Sequence, residues 1–348
     1  MSISRIGLVV HMGKEVARDA AARVRAWAAA RDLPITDVDV WGEGTRHTAG
    51  EEAELAGEPD LIVTVGGDGT YLRGARVAAA AGAMVLGIDV GRVGFLTEVS
   101  VDRLEEALDA VMAGDVVLDK RMTLTMRASR PLEIPHGIDE LLRYGRGHAL
   151  PPPTPRRDAE AYGWGVPLDV WALNDIVFEK LARDRQASIA VYVDSRLFAS
   201  YSADALIVST ATGSTAYSFA AGGPVLSPDM DALVFTPVAP HMVFNRSLVL
   251  SSRHRIGMRV LARSGQVAVS IDGQLSGVLD PGDWLNVYGA RQRAKLVRLD
   301  DPHFLDRVRD RFGLADSRAA VADGQAPDVY DPGIPIPYDL AHPGPMDD

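Results

Sequence analysis

Cysteine is absent from the 348 residues. That excludes disulfides, thiol nucleophiles and thiolate-bound zinc, and leaves the redox compartment open. Long apolar runs are also missing. The longest, Val77–Ile88, is alanine-rich and broken by Gly82 and Gly87, well short of the roughly 20 residues a bilayer span needs. Met1–Val10 is too short in its apolar part for a signal peptide. A cytoplasmic protein without a membrane partner is expected. Lysine is confined to Lys14, Lys120, Lys180 and Lys295, and the net charge is −11. Nucleic-acid binding needs a basic field, so none is expected. Small anions stay open, since arginines, backbone amides and a divalent cation can handle them locally. The chain has no Gly-x4-Gly-Lys-Ser/Thr phosphate loop, no Gly-x-Gly-x-x-Gly after a strand, no His-Glu-x-x-His and no Gly-x-Ser-x-Gly elbow.

What is present is an ordinary soluble composition, 47% apolar and 24% charged, at a length that suggests roughly two domains. Residues 1–119 alternate strand and helix: strands at Arg5–Val10, Ile35–Trp41, Leu61–Val65 and Met84–Ile88, helices at Glu15–Arg31, Tyr71–Ala81 and Val101–Ala113. That order predicts a doubly wound parallel sheet, with ligands at the carboxyl ends of its strands. Residues 120–300 change to strand-like alternation, as in Met122–Arg127, Trp171–Glu179, Leu206–Ser209 and Ala294–Leu299, and predict a β-rich domain. Pro, Arg and Gly crowd residues 129–165, which read as a flexible insertion. A helix follows over 301–314. The Pro- and Asp-rich tail 315–348 reads as disordered.

The most informative stretch is Leu61-Ile-Val-Thr-Val-Gly-Gly-Asp-Gly-Thr70. A buried strand runs into Gly66, Gly67 and Gly69, and Thr70 can cap the helix behind them. Strand, glycine turn and helix N-terminus form a phosphate cradle. Asp68 is the odd member, because a carboxylate repels phosphate unless it binds a metal or takes a proton. The competing reading is a tight turn with Asp68 as a cap. Three further segments share this style. Gly91–Leu96 closes the next strand with two glycines, and Phe95 can stack on a base or simply fill the core. Asn174 and Asp175 interrupt an apolar strand, where unpartnered polar groups are costly. Thr212-Gly-Ser-Thr-Ala-Tyr217 follows a strand and opens a short helix, with hydroxyls for phosphate or ribose.

Taken in order, these segments resemble the NAD kinase family. Gly66–Thr70, Gly91–Leu96, Asn174–Asp175, Thr212–Tyr217, Ala221–Pro224, Pro237–His241, Asn245–Arg246 and Ile271–Gln274 follow the family's sequence of motifs, over residues 5–128 and 169–313. The resemblance implies an N-terminal α/β domain, a β-rich C-terminal domain (the fold shared with diacylglycerol kinases) and a site between them. It implies phosphoryl transfer from ATP or polyphosphate, with Mg²⁺ or another divalent cation, to the 2′-hydroxyl of the NAD adenosine ribose. Asp68 would be the catalytic base. Gly66, Gly67, Gly69, Thr70 and Arg73 would hold donor phosphate. Phe95, Asn174, Asp175, Asp204, Thr215, Ala216, Tyr217, Asp272 and Gln274 would bind NAD, Asp204 at the nicotinamide end and Asp272 from a second subunit of a homodimer or homotetramer. No metal ligand is assigned. Departures are Asp89 for a usual Asn, Ala211 for Pro and Ala220 for Ser. A lipid kinase of the diacylglycerol or sphingosine type, or a nucleotide sensor without catalysis, are the competing readings.

Overall fold

Short apolar runs become the strands of the first sheet. β1 (Ile6–Val10), β3 (Leu61–Gly66) and β4 (Met84–Asp89) are buried along their whole length, as strands covered on both faces must be. β1 pairs in parallel with β2 (Ile35–Asp37) and β3, and β3 with β4. β4 also carries the two-residue β5 (Val99–Ser100). The computed structural model describes residues 3–40, 47–91, 94–138, 151–156, 164–182, 185–299, 304–314, 335 and 337. Helices α1 (Glu15–Ala29) and α4 (Leu104–Ala113) cover one face of this sheet, through Ala17, Val24, Leu104 and Leu108. Helices α2 (Ala49–Leu55) and α3 (Asp68–Ala81) cover the other. The doubly wound layout predicted from the alternation is what forms.

Two antiparallel sheets make up the β-rich region. One contains β7 (Leu124–Ala128), β8 (Val166–Ala172), β10 (Ala187–Val193), β11 (Arg196–Ala203), β15 (Arg255–Val260) and β18 (Trp284–Gly289), ordered β11-β10-β15-β18-β7-β8. The other contains β9 (Asp175–Lys180), β12 (Ala205–Thr210), β13 (Ala232–Val238), β14 (Leu248–Ser251), β16 (Val267–Ile271) and β17 (Gln274–Leu279), ordered β14-β13-β12-β9-β16-β17. Their alternating apolar residues meet in one core, with Met126, Ile189 and Met258 facing Phe178, Leu206 and Phe235.

The differences from the sequence reading have physical causes. Trp171–Glu179 is not one strand. It breaks at Leu173–Asn174 because β8 and β9 belong to different sheets. Val101–Arg103 is a 3₁₀ turn before α4. β2 stops at Asp37, and Trp41 lies outside the described residues. The strand β19 (Ala294–Arg298) leaves the β-rich region and joins the first sheet, parallel to β4 and antiparallel to β6 (Val117–Arg121). Two described points of 129–165 pair with the strands of the β-rich region. Glu133 bridges Val278, and Thr154–Arg156 lines up along β8, with Arg156 N–H on Pro167 O at 2.9 Å and Asp169 N–H on Thr154 O at 2.8 Å. Leu132 is buried against Gly277. Residues 139–150, 157–163 and the tail 315–348, apart from Pro335 and Pro337, lie outside the described residues. The chain divides into the units Met1–Pro302 and His303–Asp348. In the second, the expected helix forms as Phe304–Phe312.

Candidate active site

The ends of β3 and β4 are register partners, Gly66 opposite Asp89, so their loops leave the sheet side by side. Gly66 has no room for a side chain: a Cβ would lie 2.3 Å from Thr70 Oγ1. Helix α3 begins at Asp68, three residues earlier than expected, so Thr70 sits in the first turn and does not cap it. The Thr70 hydroxyl is buried with no hydrogen-bond partner among the described residues. Asp68 gains the position where the helix dipole favours a negative charge. Its carboxylate is held from the opposite loop. Phe95 N–H donates to Oδ2 at 3.0 Å, and Leu96 and Thr97 N–H to Oδ1 at 3.1 and 3.3 Å. This approach requires Gly94, where a Cβ would lie 2.0 Å from Asp68 Oδ1. Phe95 is half-buried. Among the described residues, nothing lies within 4 Å of a Cβ added at Gly67 or Gly69.

The second group is built around the β8–β9 corner. Asp272, at φ 47°, accepts N–H bonds from Leu173, Asn174 and Asp175 at 2.9, 2.7 and 3.1 Å. Its carboxylate thus caps a turn of its own chain. Burial, then the nearby Asp272 charge, pushes the buried Asp175 carboxyl up to about 8. Burial likewise raises Asp272, against the three N–H bonds and Arg76. Thr210 ties the next motif to this corner, its N–H on Asn174 O at 2.9 Å and its hydroxyl on Leu173 O at 2.6 Å. Gly213 N–H binds Thr210 Oγ1 at 3.0 Å, and a Cβ on Gly213 would lie 2.1 Å from Asn174 O. Thr215 and Ala216 are half-buried on this turn, and the Tyr217 ring is exposed.

The groups are joined by packing and charge. Leu173 shares a core cluster with Tyr71 and Leu96, which flank the Asp68 loop and the Gly91–Leu96 loop. Arg121 donates to Thr212 Oγ1 at 3.2 Å and pairs with Asp119. Arg298 on β19 binds Leu96 O at 2.9 Å, Glu98 at 3.1 Å and Asp119 at 3.4 Å.

Two expected residues are not brought to this place. Arg73 is buried and donates to Val40 O at 2.7 Å. Asp204 precedes β12, at the opposite end of that strand from the Thr212 turn, and pairs with Lys180 at 2.6 Å. The length of that strand separates the two ends by roughly 20 Å. Arg76 is the arginine the sequence reading missed. It lines a cavity of about 60 Å³ with Leu72, Trp171, Asp272 and Gln274, and binds Glu52 at 2.5 Å. Burial raises Glu52 to about 7. The only sequence signal for Arg76 was its place two helical turns beyond Asp68.

A parallel sheet whose glycine turn presents a fixed carboxylate beside a β-rich corner of polar turns defines a small-molecule kinase. The comparisons make this particular. The ATP-NAD kinase N-terminal domain model matches residues 6–116, and the ATP-NAD kinase C-terminal domain model matches residues 173–299. NAD kinase 1 of Streptomyces avermitilis is 59% identical over 352 residues, covering 100% of this chain and 99% of the relative. NAD kinase of Moorella thermoacetica is 33% identical, covering 98% and 99%. Among solved structures, yeast NADH kinase complexed with NADH aligns with a TM-score of 0.71 at 19% identity, over 91% of this chain and 89% of that one. An NAD kinase from Archaeoglobus fulgidus in complex with ATP aligns at 0.59 and 23% identity, over 88% and 97%. These two likenesses establish the fold. The chain belongs to the NAD kinase family and is an enzyme that phosphorylates NAD.

Proposed function

We propose that NAD lies between the Gly66–Thr70 turn and the Asn174–Asp175 corner, and that Asp68 takes the proton of its adenosine 2′-hydroxyl. The O2′–P bond forms as the bond to the terminal phosphorus of ATP breaks, and ADP leaves. The observation that carries this is the Asp68 carboxylate, fixed by three amide donors. A positioned acceptor is what phosphoryl transfer asks of the protein. Open space among the described residues beside Gly67 and Gly69 supports close approach of phosphate to the backbone. Asn174, Asp175, Thr215, Ala216 and Tyr217 surround the nucleoside in this reading, and Asp272 positions their turn. Phosphate contact falls to the Gly66, Gly67, Gly69 and Thr70 segment, with Arg73 held on Val40 O instead.

Among the described residues no three His, Cys, Asp or Glu side chains converge on a metal position. These residues fit a cation carried on the donor's phosphates, such as Mg²⁺, and do not fit a resident metal held by protein alone. Such a cation would offset phosphate charge that a chain of net charge −11 repels. Polyphosphate can replace ATP in the same cradle. Asp204 lies far from its own chain's site, so a role at the nicotinamide end supports a homo-oligomer with shared sites and residues 120–300 as the NAD-binding domain. Catalysis is cytoplasmic in this reading, where NAD and ATP are both abundant. Among the described residues no helix is long and apolar enough to cross a membrane. The test is NADP formation by the purified chain from NAD, Mg²⁺ and ATP or polyphosphate. Phosphorylation of a lipid alcohol in place of NAD would overturn the reading.

A further inference from the structure

One buried arginine touches the loop that holds Asp68. The Thr97 N–H that donates to Asp68 Oδ1 at 3.3 Å shares a peptide unit with the Leu96 carbonyl. Arg298 Nη1 donates to that carbonyl at 2.9 Å. The peptide is therefore gripped at both ends, its oxygen by a cation and its hydrogen by the Asp68 carboxylate. A cation on the oxygen also polarises the unit and strengthens its N–H as a donor. Arg298 does not act alone. Its Nε faces Asp119 at 3.4 Å, Asp119 pairs with Arg121, and Arg121 Nη1 donates to Thr212 Oγ1 at 3.2 Å. Burial raises the Asp119 carboxyl, but Arg121 and then Arg298 outweigh it and hold the group below its ordinary value. A line of contacts thus runs from the Asp68 loop across the paired strands β19 and β6 to the turn that opens at Thr212.

Stability does not account for this line. Arg298 is 2% exposed, and its Nη2 is buried without a hydrogen-bond partner among the described residues. Buried ion pairs often hold a fold no better than apolar residues of similar volume would. We propose that Arg298 is a positioning residue for phosphoryl transfer: it sets the Leu96–Thr97 peptide, and with it the Asp68 carboxylate, at a fixed spacing from the Thr212–Tyr217 turn. This rests on the reading of Asp68 as the base and of that turn as part of the nucleoside's surroundings. A planar guanidinium can bind Leu96 O, Glu98 and Asp119 together, whereas an ammonium is a point charge on a flexible stem. Spacing matters here, because a misplacement of about 1 Å can cost roughly 10²-fold in rate.

Arg298→Lys is the variant to make. It leaves Glu98 and Asp119 a cation, so the chain should still fold. Its kcat should fall roughly tenfold to a hundredfold, with KM for NAD within about twofold of the parent's. Glu98→Gln keeps an oxygen for Arg298 and should retain the parent's kcat. Thr212→Val releases the other end of the line and should lower kcat by about threefold to tenfold. Combined with Arg298→Lys it should add little further loss, because both act through one line of contacts. Parent-like kcat in Arg298→Lys overturns the proposal. So does a lowered melting temperature with kcat per folded enzyme unchanged, which marks a purely structural arginine. An equal kcat loss in Glu98→Gln, or losses that multiply in the double variant, overturn it as well. If Asp68→Asn itself turns over normally, the base assignment fails first. If Asp68→Asn is inactive and Arg298→Lys is normal, only the role of Arg298 fails.

Discussion

Two carboxylates in this molecule carry opposite consequences. Asp68 is half-exposed and fixed by backbone amides. Asp68→Asn should keep the fold and the cradle and lose roughly 10²–10⁴ in kcat, with NAD affinity little changed. Steady-state kinetics at saturating ATP checks this. Asp175 is buried and titrates near 8, against an ordinary value of 3.8. A carboxyl raised by folding gives stability that is complete below its unfolded value and lost as pH climbs through its folded one. Asp175 therefore costs the fold progressively between about pH 4 and 8. Asp175→Asn should melt with the parent near pH 4 and above it at about pH 8–9, while binding NAD more weakly. Melting curves across that range decide, and a gain confined to acid pH would contradict the burial argument.

At the level of elements, the loop after β4 exists to reach Asp68. Gly94→Ala would drive a methyl into that carboxylate, since the added Cβ falls 2.0 Å from Oδ1. We expect activity to collapse far more than stability, measured as kcat against melting temperature. The insertion behaves otherwise. Leu132 is buried in the β-rich core, so Leu132→Ala should cost about 2–4 kcal/mol in denaturant unfolding. The sequence showed the strands and glycine turns that position Asp68, because buried parallel strands read as unbroken apolar runs. It also marked Asn174–Asp175 as misplaced polarity. It did not show that this polarity was a corner between sheets, because both flanks alternate alike. Nor could it show that Arg73 is spent on Val40 while Arg76, one helical turn on, reaches the cavity. That choice depends on which side of α3 faces α2. Paired edges such as Thr154–Arg156 were hidden by proline-rich composition, which suits an edge strand as well as a loop.

For the whole molecule, Asp204 offers the test of shared sites. Subunits carrying Asp68→Asn and subunits carrying Asp204→Ala should each be impaired. After exchange, some interfaces would hold an intact Asp68 and an intact Asp204 together, and partial activity should return. Demonstrated hetero-oligomers with no recovery would place the site within one chain. The strand β19 has a consequence of another kind. It lies between β4 and β6, yet it is synthesised after the whole β-rich region. Until then β4 presents Met84 and Val85 with no neighbour on that side. A nascent chain emerging from the ribosome thus cannot finish its first sheet first, and contacts of such long sequence separation slow folding. Residues 1–119 made alone should be prone to strand-edge association.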